Sequence, residues 1–141
     1  MPAPQVVVDT NVLVSGFLNP HGAPGRLVEW MRDGTATSGL DDRILAEYRE
    51  VLLRQEFSLP PEDVRMVLSS VVAHAVWAKV GPEHAVFDLP DPDDAMFAEC
   101  AAALACPLVT GNLRHFPRAR MRSVEILRPA EFVATVIGRR N

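Results

Sequence analysis

Asp9, Glu47, Asp94 and Asn112 are the side chains whose type and setting could hold a hard cation. Asp9 closes the run VVVD, three valines followed by a carboxylate. A β-branched run without alternation predicts a strand buried on both faces, and an unpaired charge costs several kcal/mol or more to bury there. Its other reading is a turn residue, because Asp-Thr-Asn can bond its own backbone and start a helix. Glu47 lies at the margin of the apolar stripe formed by Ile44, Leu45, Tyr48, Val51 and Leu52, whereas Glu50 lies almost opposite it. A flank glutamate taken alone is ordinarily solvated. In DPDD, Asp91 as N-cap and Pro92 as first helical residue make a good helix start. Three acids there, Asp91, Asp93 and Asp94, exceed what capping needs and repel one another unless a cation is near. Asp94 projects with Phe97 and Ala101, opposite Glu99, and so toward the sheet. Asn112 follows Thr110-Gly111 at a predicted strand end, where an asparagine in a left-handed turn is the ordinary reading.

Together these positions gather at least three carboxylates from distant segments. Such a cluster is stable only if protonated or if it binds a metal. Oxygen ligands without a histidine or thiolate partner suit Mg²⁺ or Mn²⁺ rather than zinc. Such ions polarise a phosphoryl oxygen and generate hydroxide for in-line attack.

The elements that must position the acids alternate between strands and helices. After QVVVDT and the turn-prone NPHGAPG, a helix is predicted over Arg26 to Arg32, with Pro24 near its start, and TATSGL as a second strand. DDRILAEYREVLLRQEF predicts an amphipathic helix capped by Asp41 or Asp42, and LPPEDVRMVLSSVVAHAVWAKV another entered through Pro60 and Pro61. The chain loops near Phe87 to Pro90; Asp91 to Leu104 predicts an alanine-rich helix, PLVTGN a short strand ending in a turn, VEIL a last strand and PAEFVATVIG a last helix. The expected architecture is an α/β three-layer sandwich around a mostly parallel sheet, with residues 1–141 forming one domain. Ligands of such sheets sit beyond the carboxyl ends of the strands, where Asp9 and the Gly111-Asn112 turn both fall.

The 48% hydrophobic and 23% charged residues are those of an ordinary globular chain. Cys100 and Cys106 have neither metal-site nor disulfide-framework spacing and read as buried thiols of a reducing compartment. With no basic stretch in MPAPQ and no apolar run long enough to span a bilayer, a cytoplasmic location without membrane insertion is expected. The net charge of −4 argues against a general nucleic-acid coating protein but not against an enzyme whose cations reverse the local field.

As an ordered set, VVVDTN, SGLDDRILAEYREVL, DPDDAMFAECA and LVTGNLRHFP resemble the PIN-domain ribonucleases, from about Val6 to Leu127. The resemblance is to the bacterial and archaeal, VapC-like PIN proteins classed as toxins of type II toxin-antitoxin pairs. It implies a central parallel sheet flanked by helices and Mg²⁺- or Mn²⁺-dependent cleavage of RNA. By motif position, the family's three acids fall on Asp9, Glu47 and Asp94. Asp93 is the neighbour placed to assist, and Thr10, Asn11 and Thr110 are supporting residues. The family often carries a fourth acid where this chain has Asn112, whose amide adds no charge. An antitoxin partner and a homodimer are implied as well.

Arg114, His115, Arg118, Arg120 and Arg122 follow the Asn112 turn and could grip phosphates, or form a solvated basic loop. Besides the nuclease, two other functions fit parts of the pattern. One is a PIN-like RNA-binding or antitoxin-binding module without turnover. The other is an aspartyl phosphatase of the haloacid dehalogenase type, which requires a second aspartate where this chain has Asn11.

Overall fold

The computed structural model describes residues 2–140. Among them lie five strands and six α-helices, with helix pairs after β1 and β2 and no α-helix between β4 and β5. The strands are β1 (Gln5–Val8), β2 (Thr37–Leu40), β3 (Val76–Trp77), β4 (Leu108–Val109) and β5 (Ile126–Leu127). The helices are α1 (Thr10–Leu18), α2 (Ala23–Asp33), α3 (Asp42–Leu52), α4 (Pro61–His74), α5 (Ala95–Leu104) and α6 (Pro129–Arg140).

The sheet runs in the order β3-β2-β1-β4-β5, and every pairing is parallel. Val6, Val7 and Val8 are fully buried, as expected of a central strand covered on both faces. On one face α5 crosses β1, β2 and β4. It approaches so closely that a Cβ on Gly39 would lie 2.6 Å from the Leu104 side chain. That leaves the other face to α2 and α4, which pack on β2 and on each other. The chain leaves β1 toward β2 but leaves β4 toward β5, so the strand order reverses between β1 and β4. The crevice beyond their carboxyl ends is the switch point at which open α/β sheets place ligands.

Several local expectations change. Residues 10–18 form α1, a helix that starts directly after Asp9. Gly16 lets α2 close on it; a Cβ there would sit 2.8 Å from the Pro24 carbonyl oxygen and 2.7 Å from Val28. α2 is longer than the predicted 26–32, with Pro24 in its first turn. α4 ends at His74 rather than continuing through Val80. Val76 and Trp77, a β-branched and an aromatic residue, add to the sheet edge by pairing with Gly39 and Leu40. α3 stops at Leu52, and Gln55–Phe57 forms a separate 3-10 turn. The predicted helix from Asp91 divides into a 3-10 turn at Pro92–Asp94 and α5 proper. Of VEIL, only Ile126 and Leu127 pair.

Cys100 and Cys106 are free and buried, and burial pushes their thiols up to about 12 and about 11, so both stay protonated. Among the described residues no helix is long and apolar enough to cross a membrane.

Candidate active site

Asp9 occupies the N-cap position of α1, and Asp94 that of α5, yet neither side chain makes a capping hydrogen bond. The capping work near Asp94 falls to Asp91, whose Oδ1 accepts from the Asp93 N–H at 3.0 Å. At α3 it falls to Asp41, whose Oδ1 accepts from the Ile44 N–H at 3.0 Å. The turn and capping explanations therefore leave the Asp9 and Asp94 carboxylates unaccounted for. Both stand at helix N-termini, where the macrodipole favours negative charge.

Asp9, only 4% exposed, accepts from Thr110 Oγ1 at 2.9 Å. Thr110 Oγ1 accepts in turn from the Asn112 N–H at 3.0 Å. Glu47, half-buried on α3, accepts from Thr10 Oγ1. His115 Nδ1 stands 3.2 Å from Asp94 Oδ2, an ion pair when the imidazole is protonated. It lacks hydrogen-bond geometry, so Asp94 Oδ2 is buried without a hydrogen-bond partner among the described residues. Glu99 faces away and pairs with Arg43 at 2.8 Å, and Glu50 pairs with Arg54 at 2.9 Å on the solvent side of α3.

The three acids are near enough to act on one another's ionisation. Burial pushes the Asp9 carboxyl up from its ordinary value, and Glu47 adds to this while the Thr110 hydroxyl and His115 oppose it. Asp94 is raised to about 6, first by burial and then by the charge of Asp9; Asp91 and Glu47 add to the rise and His115 opposes it. A raised folded value means that the native state holds the proton more tightly than the unfolded chain. The stability it contributes is complete below about pH 4 and is lost as the pH rises through about 6. In chelator, stability should therefore fall between about pH 4 and pH 6. The Asp94 share is about 1–2 kcal/mol once solvent screening of this partly exposed group is allowed for. Urea unfolding across that range should show a smaller fall for Asp94→Asn; equal falls would show that Asp94 is not the titrating group.

Asn112 is not in a left-handed turn. Among the described residues, positive φ without glycine occurs only at Ser58, Ala105 and Arg122. The Asn112 Oδ1 instead accepts from the Arg114 N–H at 3.2 Å, closing a turn of its own. Its side chain is thus committed locally, while its backbone reaches Asp9 through Thr110. Asn11 and Asp93 are exposed beside the acids, and Thr10 is buried. Of the basic residues, Arg114 is exposed without a side-chain partner among the described residues, and Arg118 is exposed but reaches the Ile126 carbonyl at 3.5 Å. Arg120 and Arg122 donate to the carbonyls of Asp88 and Val86 at 3.4 and 3.2 Å, so they brace the loop leading to Asp94.

Among the described residues no three Asp, Glu, His or Cys side chains form a ready-made metal-binding group. The chemistry of the donors nevertheless fits Mg²⁺ or Mn²⁺, because such ions keep several waters and are commonly held by only one or two carboxylates. The buried, unbonded Asp94 Oδ2 is the oxygen left over by the protein's own hydrogen bonds.

A parallel sheet with a buried aspartate, Asp9, at the end of its central strand agrees with the PIN fold, and residues 5–114 match the PIN domain family. The chain belongs to that family. Its fold is also similar to a chain in the crystal structure of VapBC2 from Rickettsia felis bound to a DNA fragment from their promoter. The TM-score is 0.59 at 17% identity, over 88% of this chain and 98% of that one. No curated protein matches by sequence.

Proposed function

We propose that this PIN-domain protein is a Mg²⁺- or Mn²⁺-dependent endoribonuclease, the toxin of a toxin-antitoxin pair. The observation that supports the reading is that Asp9, Glu47 and Asp94, from three separate elements, act on one another's ionisation: Glu47 on Asp9, and both Asp9 and Glu47 on Asp94. The raised Asp94 and its unbonded Oδ2 support it. Asp9 and Asp94 would hold the ion directly or through its waters, with Glu47 completing the anionic side. When bound, the ion supplies Lewis-acid polarisation of a phosphoryl oxygen and makes water acidic enough to attack. Thr110 and Thr10 orient the Asp9 and Glu47 carboxylates, and His115 pairs with Asp94 when its imidazole is protonated. Arg114, exposed and uncommitted among the described residues, is left to contact a phosphate of the RNA.

The likeness to VapBC2 supports an antitoxin partner. The protein would act in the cytoplasm as one domain, and pairing into a homodimer is part of the same proposal. Incubating it with single-stranded RNA in Mn²⁺ or in chelator tests the activity. Cleavage in Mn²⁺ alone supports the reading. Binding without cleavage would favour the module without turnover, the alternative that Asn112 raises.

Asn112→Asp restores the family's fourth acid. A carboxylate can accept the same Arg114 N–H, so the turn should survive. The added charge should lower stability in chelator through repulsion and tighten Mn²⁺ binding. Identical melts and identical Mn²⁺ isotherms for both proteins would place position 112 outside the site.

A further inference from the structure

Tyr48 follows Glu47 on α3 and is fully buried. Its hydroxyl donates to the Val8 carbonyl oxygen at 2.5 Å. That carbonyl belongs to the same planar peptide unit as the Asp9 N–H, which donates to the Val109 carbonyl at 2.9 Å. The Val8–Asp9 peptide is thus held at both polar ends, by α3 on one side and β4 on the other. One residue further, Thr10 Oγ1 donates to the Glu47 carboxylate. Two consecutive residues of α3 therefore grip the chain on either side of Asp9.

We propose that Tyr48 is a positioning residue: it fixes the peptide plane that carries Asp9, and with it the direction of the Asp9 carboxylate and its spacing from Glu47. The consequences for metal and RNA rest on the nuclease reading, whereas the clamp on the peptide stands on the hydrogen bonds alone. A phenol suits the task. It reaches a strand-end carbonyl from a helix one layer away, and burial, reinforced by the charge of Asp9, holds its proton in place. A small shift of this peptide would move a carboxylate that must meet two others, and misplacement of about 1 Å is enough to cost a hundredfold in rate.

Tyr48→Phe keeps the volume and removes only the donor. Ile44→Val, at a fully buried position on the same helix, loosens α3 without touching the peptide and serves as control. In chelator, amide hydrogen exchange at Asp9 should quicken about tenfold in Tyr48→Phe. The Kd for Mn²⁺ should rise about tenfold, and kcat for RNA cleavage should fall about tenfold at unchanged KM. Ile44→Val should change none of these beyond what its global stability accounts for. Unchanged Asp9 exchange in a folded Tyr48→Phe, or equal changes in Ile44→Val, would overturn the inference. Should the wild type bind no Mn²⁺, the nuclease reading would fall, and the exchange comparison would still decide the role of Tyr48.

Discussion

Asp9→Asn and Asp94→Asn should each remove Mn²⁺-dependent RNA cleavage, by on the order of a thousandfold or more, the scale seen when a group acting on transition-state charge is lost. In chelator the same variants should be at least as stable as the wild type. The two halves of this expectation have one cause. Asp9 is buried and Asp94 half-buried, each beside other acids, and both are raised, by burial first and then by neighbouring carboxylates. Neutralising either one removes repulsion that Thr110 and His115 offset only in part, since both carboxyls stay raised. The amide introduced by Asp9→Asn could still accept from Thr110 Oγ1, and Asp94→Asn would sacrifice no cap, because Asp91 makes the capping bond. Cleavage assays with urea unfolding in chelator check both halves. Retained cleavage together with lost stability would return Asp9 and Asp94 to ordinary turn and helix-start residues.

The second large effect is on stability. An ion that binds only the native state adds RT ln(1 + [L]/Kd), about 2.7 kcal/mol at a hundredfold excess over Kd. For a chain of this length that raises Tm by roughly 10 °C. Thermal melts in Mn²⁺ and in chelator should show this rise in the wild type and lose most of it in Asp94→Asn. A rise of the same size in both would mean that the ion binds elsewhere.

The sequence points to Asp9 and Asp94 as candidates because burial and charge conflict there. A carboxylate ending VVV needs either a turn to bond or a partner, and the acids of DPDD outnumber the caps one helix can use. Helical periodicity sets Glu47 only at the stripe's edge, where a glutamate is ordinarily solvated, and its place among the acids comes from the resemblance. What could not be read was anything that depends on tertiary pairing. Val76 and Trp77 continue a helical pattern until the edge of the sheet offers them Gly39 and Leu40. Tyr48 reads as one more apolar residue of the α3 stripe, since nothing local says that its hydroxyl meets a carbonyl forty positions away. Asn112 looked like a left-handed turn residue because Thr-Gly-Asn commonly is one. In the fold its side chain closes on the Arg114 amide and leaves positive φ to Arg122. The arginines after it resembled a phosphate grip, but Arg120 and Arg122 are spent on loop carbonyls, a use that only the folded loop reveals.

The central claim is that Asp9, Glu47 and Asp94 form one divalent-cation site, and calorimetric titration of Mn²⁺ into the chelator-treated protein tests it most directly. The expected result is saturable binding by the wild type that Asp94→Asn weakens at least tenfold. A flat isotherm for the wild type, or the same isotherm for both proteins, would contradict it.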